Sequence, residues 1–134
     1  MKKFLIVILS IFVFTGMSFA GSVNSYDKYG SKTGSYRTSG NTTNSYNRYR
    51  QRTGSYKTNG NTTSKYDRYG SKVGTYKTNG NTTNKYNRYG QKVGSYKTNG
   101  STTTSYDKYG RKTGTYKKDS SGKITQYDRY GRKL

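Results

Sequence analysis

The chain has no cysteine, histidine, proline or tryptophan, and its only acids are five aspartates among 134 residues. Without cysteine there is no disulfide to compensate for a weak core. Without cysteine or histidine there is no zinc motif. Lacking glutamate as well, the chain is left with five aspartates at or beside turn starts, where they read as backbone caps and not as general bases, and its glycine-rich loops lack phosphate-loop spacing. The expectation is a non-enzyme with no cofactor and no metal; single aspartates beside Lys or Arg make poor calcium sites. Aliphatic side chains are almost as scarce. Beyond residue 20 they are Val23, Val73, Val93, Ile124 and Leu134. A chain with so little to bury is either disordered, as low hydrophobicity and high charge imply, or packed through something else.

All four Phe and both Met lie in the first twenty residues, MKKFLIVILSIFVFTGMSFA. Lys2 and Lys3, the apolar run from Phe4 to Phe14, and the small-x-small triplet Ser18-Phe19-Ala20 have the layout of a secretory signal peptide. Cleavage is expected between Ala20 and Gly21. The run is shorter than a membrane span needs, so no transmembrane span is expected in the mature chain. The chain thus divides into a leader, 1–20, and a region rich in Tyr, Gly and Lys, 21–134. Its expected location is secreted, periplasmic or cell-surface.

What remains is positive and aromatic. Losing Lys2 and Lys3 takes the net charge from +21 to +19. Outside the cytoplasm such a polycation meets acidic polysaccharide, lipopolysaccharide, teichoic acid or extracellular DNA. The simpler reading is that the charge keeps a tyrosine-rich chain soluble.

The seventeen tyrosines follow one period. Tyr26, Tyr46, Tyr66, Tyr86, Tyr106 and Tyr127 open successive copies, a second tyrosine follows three residues later, and Tyr36, Tyr56, Tyr76, Tyr96 and Tyr116 come seven residues after that. Such self-similarity marks a repeat architecture of five to six units of about 20 residues. Each unit carries two turn signals. Asp67-Arg68-Tyr69-Gly70 has the type I pattern, with Asp first and Gly fourth. Asn79-Gly80 and Asn99-Gly100 are two-residue hairpin signals, with positive φ expected at both residues, and Ser39-Gly40 is a weaker one. Runs rich in Thr and Tyr lie between the turns. The expected fold is all-β, an antiparallel hairpin meander or open spiral of about eleven strands.

An Asn79-Gly80 loop pairs Thr78 with Asn81, Tyr76 with Thr83 and Val73 with Tyr86; the next hairpin pairs Val93 with Tyr106. Each strand tyrosine then meets a β-branched partner, with a tyrosine row on each face and Lys and Arg between the rings. A three-residue loop at Asp-x-Tyr-Gly swaps the faces from one repeat to the next, whereas an even loop keeps them; the residues fit both.

Gly122-Lys123-Ile124-Thr125-Gln126-Tyr127-Asp128-Arg129-Tyr130-Gly131-Arg132 resembles the tyrosine-aspartate (YD) repeats of bacterial secreted and cell-surface proteins, as does Tyr106-Asp107-Lys108-Tyr109-Gly110-Arg111. At the level of the repeat unit the likeness covers 22–134. It implies hairpins in a strip or shell, non-catalytic and often carbohydrate-binding. Asn stands for Asp at Asn47 and Asn87, and the chain is too short to enclose a cargo. A weaker likeness is to curli-type repeat subunits; the internal glutamine ladder of that family is missing, with Gln51, Gln91 and Gln126 alone.

Six turn pairs form the candidate polymer-binding set: Lys28-Tyr29, Arg48-Tyr49, Arg68-Tyr69, Arg88-Tyr89, Lys108-Tyr109 and Arg129-Tyr130. A tyrosine there can stack on a sugar or base while its cation meets a phosphate or carboxylate; the alternative is that each ring folds back as packing. The function expected is multivalent binding of anionic or glycan polymers of the envelope or matrix. The alternative is a structural, self-assembling surface protein that associates through its sheet edges.

Overall fold

A computed structural model describes residues 21–27 and 29–134. The leader, Ala20 at the expected cleavage point, and Lys28 lie outside the described residues. The fold is all-β. Eleven strands form one antiparallel sheet whose order follows the chain. Among the described residues no helix is long and apolar enough to cross a membrane.

The chain divides into two compact units, one ending at Thr75 and the other beginning at Tyr76. The first holds β1 (Gly21–Tyr26), β2 (Lys32–Ser39), β3 (Thr42–Asn47), β4 (Arg52–Asn59), β5 (Thr62–Asp67) and the opening half of β6 (Lys72–Asn79). The second holds the rest of β6, then β7 (Thr82–Asn87), β8 (Lys92–Asn99), β9 (Thr102–Asp107), β10 (Lys112–Lys118) and β11 (Ile124–Asp128).

In each unit tyrosine supplies the core. Tyr36 and Tyr56 in the first unit, and Tyr76 and Tyr96 in the second, are only 3–9% exposed. Most of their cross-strand neighbours are small; one exception is Lys65, which faces Tyr56 and reaches over its ring. Tyr56 faces Thr43, and Tyr96 lies between Thr83 and Ser105. Large rings on one strand therefore alternate with hydroxyl-bearing side chains on the next, leaving room for each ring to lie down over its neighbours. The buried hydroxyls bond one another: Thr38 with Thr43, Thr58 with Thr63, and Thr98 with Thr103, at 2.9–3.0 Å. Among the described residues no buried side-chain polar atom lacks a partner, as a core this polar requires. The opposite face carries Tyr46 and Tyr66 in the first unit, and Tyr86, Tyr106 and Tyr127 in the second, all half-buried. A tyrosine row on each face is thus present in both units.

The register differs from the expected one. The short hairpin loops are Gly-Asn and Gly-Ser, not Asn-Gly. Ser39 pairs with Thr42 around Gly40-Asn41, and Asn99 with Thr102 around Gly100-Ser101. Gly40, Gly60, Gly80 and Gly100 have φ of +58 to +59, while the following Asn or Ser does not take positive φ. Glycine at the first central position with positive φ there alone is the type II′ pattern, not type I′. Thr83 consequently bonds Thr78 and not Tyr76, and Ser95, not Val93, faces Tyr106. The displacement is two residues on the partner strand. Side chains alternate with period two, so every residue keeps its expected face.

Both halves of the parity question occur together. Asp67 N–H donates to Ser71 O at 2.9 Å around a three-residue loop, with Gly70 at φ +88. One bulge follows in the returning strand. Ser45 pairs with Gly54 and Tyr46 with Arg52, leaving Thr53 as the extra residue. The odd loop and the odd bulge cancel, and faces are kept from copy to copy within each unit. The extra residue of the longer final repeat is taken up by the turn itself, a three-residue loop between Asp119 and Lys123, with no bulge between β10 and β11.

The bulge residue covaries with its cross-strand neighbour. Thr33, Thr53 and Thr113 bond Ser25, Ser45 and Ser105 at 2.8–2.9 Å. In the copies where that serine is Lys65 or Lys85, the bulge residue is Val73 or Val93. Burial lowers the Lys85 pKa from its ordinary value.

A tyrosine core has a pH limit. Burial pushes the phenols of Tyr36 and Tyr76 up to about 12 from an ordinary 10. A raised folded pKa stabilises the fold fully below the unfolded value, and the stabilisation is lost as pH rises toward the folded value. Each ring then withdraws about 2–3 kcal/mol between pH 10 and 12. Far-UV circular dichroism should show loss of strand signal in that window; a spectrum unchanged to pH 12 would exclude phenol burial as the core.

Candidate polymer-binding edge

In a meander every second turn lies on the same edge. The first unit places residues 27–31, 47–51 and 67–71 along one edge, and the second places 87–91, 107–111 and 128–132 along one edge. Strands are spaced about 4.8 Å apart, so successive turns on an edge are about 10 Å apart.

Each turn is built by its own first side chain. The Asp67 carboxylate oxygen Oδ1 accepts from the backbone N–H of Tyr69 and of Ser71, both at 2.9 Å. Asp27, Asp107 and Asp128 do the same two and four residues on, and so do the amide oxygens of Asn47 and Asn87. One oxygen carries the turn, which is why Asp and Asn interchange. The atom left over selects the residue four positions later. Asn47 and Asn87 donate through Nδ2 to Gln51 and Gln91 at 2.8 Å. Asp107 and Asp128 accept through Oδ2 from Nε of Arg111 and Arg132, at 2.8 and 2.7 Å. Both arginines are about three-quarters exposed, so these ion pairs add little stability. The backbone N–H of Arg111 is the largest cause holding the Asp107 carboxyl below its ordinary pKa; for Asp119 it is the Ser121 hydroxyl. All five aspartates cap turns. Among the described residues no three metal-ligating side chains of the Asp, Glu, His or Cys type converge.

The capped turn holds its third residue outward. Tyr29, Tyr49, Tyr69, Tyr89, Tyr109 and Tyr130 are 68–81% exposed, so none of these rings folds back as packing. Cations lie over them. The Arg48 and Arg68 guanidinium carbons are 4.8 Å from the Tyr49 and Tyr69 ring centres, Lys108 Nζ is 4.9 Å from Tyr109, and Arg129 is 5.1 Å from Tyr130. Among the described residues Arg88 does not stack on Tyr89, although both occupy the equivalent turn. Lys28 is outside the described residues, so only Tyr29 of that pair is placed.

Two members of the edge escaped the sequence reading. Arg111 and Arg132 also lie over Tyr109 and Tyr130, at 5.1 and 5.3 Å. Their signal was the pairing with the aspartate four residues before. On the opposite face, Arg37, Lys77 and Lys117 reach diagonally over Tyr46, Tyr86 and Tyr127 at 5.3–5.6 Å. A shallow groove on that face of the first unit is lined by Asn41, Lys57, Asn59, Thr62, Ser64 and Tyr66.

The far edge of each unit differs. In the first unit its turns read Ser39-Gly40-Asn41 and Asn59-Gly60-Asn61; in the second, Asn79-Gly80-Asn81 and Asn99-Gly100-Ser101. None of these is charged. Only the last turn there, with Lys118, Asp119 and Lys123, carries charge. Neither the known protein-family models nor the curated proteins include a match to this chain.

Proposed function

We propose that this is an exported, non-catalytic repeat protein that binds anionic or glycan polymers of the cell envelope or matrix. Its candidate partners are acidic polysaccharide, lipopolysaccharide, teichoic acid and extracellular DNA. One observation carries the reading: in each unit successive capped turns present exposed tyrosines on one edge, most with a stacked cation, while the short turns of the other edge are uncharged. A polyanion with charges every few ångströms meets several such pairs at once, and weak contacts on one scaffold add through effective concentration. The exposed ring faces offer stacking to sugars or bases that does not depend on sequence.

Binding to heparin and to double-stranded DNA should weaken steeply with salt, because each neutralised anion releases a counterion. Replacing Arg48 and Arg68 by Gln should lower affinity roughly tenfold and reduce the salt slope by about two. Lys57→Gln with Lys97→Gln, on the strand face, serves as the equal-charge control and should change the slope less. Equal losses in the two variants would leave only a diffuse polycation.

The structural alternative has its own observation. Strand β1 ends the sheet with Val23 and Tyr26 more than half exposed, which is the profile of an edge open to a further strand. Sedimentation and thioflavin binding of the mature chain separate the two readings: fibres without polymer favour self-assembly.

A further inference from the structure

The capped turns do one thing that polymer binding does not require. They hold six phenols at the tips while the phenols of the core are closed off. We infer that the turn tyrosines Tyr29, Tyr49, Tyr69, Tyr89, Tyr109 and Tyr130 are sites of oxidative coupling, through which a second copy of this chain is joined covalently by a haem peroxidase using hydrogen peroxide.

The chemistry selects among the seventeen rings. Two phenols each lose one electron and one proton, and the resulting radicals join through ring carbons ortho to the oxygens. The two ring hydrogens at the new bond shift to the oxygens, restoring both phenols. Hydrogen peroxide takes up the two electrons and two protons and becomes two waters. A coupling ring must therefore release its proton to solvent and offer an ortho carbon to another ring. Tyr36, Tyr56, Tyr76 and Tyr96 do neither, being nearly covered by their neighbours. The tips satisfy both conditions, with 68–81% of their surface open. Along one edge, neighbouring tips stand about 10 Å apart, and several rings are held beneath their own cation at about 5 Å. The ring that meets a tip is thus supplied by another molecule.

Charge gives the inference a signature independent of polymer binding. Two copies of the mature chain, of formal charge +19, repel, and salt screens that repulsion over about 8–10 Å. Coupling between copies should accelerate with salt, whereas polymer binding should weaken. The two ideas therefore fail separately.

The test treats the mature chain, without polymer, with a haem peroxidase and hydrogen peroxide at 20 and 300 mM salt. Dityrosine fluorescence and denaturing gels follow the product, and peptide mass spectrometry maps it. The expected result is a ladder of covalent oligomers, faster at the higher salt, with cross-links at the six tips. Changing all six to Phe keeps the rings and their cations, and should lower coupling at least tenfold with the far-UV spectrum retained. Tyr26, Tyr46, Tyr66, Tyr86, Tyr106 and Tyr127 changed to Phe form the reciprocal variant, which should couple within twofold of the parent if folded; Tyr26 is included because it is the most exposed ring outside the tips. Should that variant unfold, the mapped cross-links of the parent decide. Undiminished coupling in the six-tip variant, dityrosine confined to monomers, or cross-links mapping to the core tyrosines would each overturn the inference.

Discussion

Tyr96→Ser is expected to cost about 3–5 kcal/mol, the range for removing a fully buried aromatic side chain. The ring is 9% exposed, with Thr83 and Ser105 directly across the two neighbouring strands. It also lies close enough to Tyr76 and Tyr116 for their charged forms to raise its own pKa, after burial, which is the larger cause. Neither residue directly across from it is aliphatic. Thr83 and Ser105 are short and fixed by their strands, so the cavity stays open, and that places the cost at the upper end. A domain of this size has about 5–15 kcal/mol in total, so one ring is a large share of it. The control is Tyr109→Ser. That ring is 70% exposed and touched by Lys108 and Arg111 alone among the described cations, and its loss should cost under about 1 kcal/mol. Urea unfolding of the two variants makes the comparison. Equal midpoints would mean that buried and exposed tyrosines are equivalent, and the tyrosine core would have to be abandoned.

Much of this fold is legible in the residues because its determinants are local. Asp67 builds its turn with its own oxygen, within four residues, so an Asp or Asn followed three positions later by Gly suffices to place it. Tyrosine periodicity places the strands, since tyrosine is the one large side chain that recurs in every copy and can be buried. The short turn was misplaced for an equally local reason. Asn79-Gly80-Asn81 contains both Asn-Gly and Gly-Asn, and each is a sound two-residue hairpin turn. What selects Gly-Asn is not local: the Thr78–Thr83 hydroxyl pair closes that hairpin, and in the equivalent repeats Thr58 and Thr98 N–H bond the carbonyls of Asn41 and Asn81 in the strand pair beyond. The bulge was missed because Thr53 looks like any strand residue. Its one trace is covariation with the residue across the hairpin, Ser with Thr and Lys with Val. On the edge, exposure of the tips follows from the turn type, whereas the second cation on Tyr109 and Tyr130 depends on which way Arg111 and Arg132 are drawn by the aspartate before them.

Gly94→Ala should cost about 3 kcal/mol, more than any exposed glycine of the chain, for reasons that lie in the bulge. The register steps at Lys85 and Tyr86, where Lys85 faces Gly94 and Tyr86 faces Lys92, so Val93 is extra and β8 bends there. The bend carries Gly94 against its other neighbour, β9, where it faces Asp107. A Cβ on Gly94 would stand 2.7 Å from the carbonyl oxygen of Tyr106. That obstacle is backbone, so no rotamer change relieves it, and the pairing of Gly94 with Asp107 must open. Overpacking costs about 1–3 kcal/mol when side chains can yield; here they cannot. Gly54 and Gly114 meet the same obstacle at 2.6 and 2.8 Å. The turn glycine Gly110 is the contrast. Nothing lies within 4 Å of its would-be Cβ, and only its φ of +79 favours glycine. Arg50 holds the equivalent turn position at φ +64, so a side chain fits there at a conformational cost. Gly110→Asn should then cost under about 1 kcal/mol, since Asn tolerates positive φ, whereas Gly94→Asn should be as damaging as Gly94→Ala. Thermal or urea unfolding of the three variants measures both effects. The result bears on function as well as stability, because the bulge keeps the tyrosine faces in phase across the hairpins that carry it. A harmless Gly94→Ala would mean that β8 and β9 do not meet as described, and the regular edge of tyrosine tips would lose its structural basis.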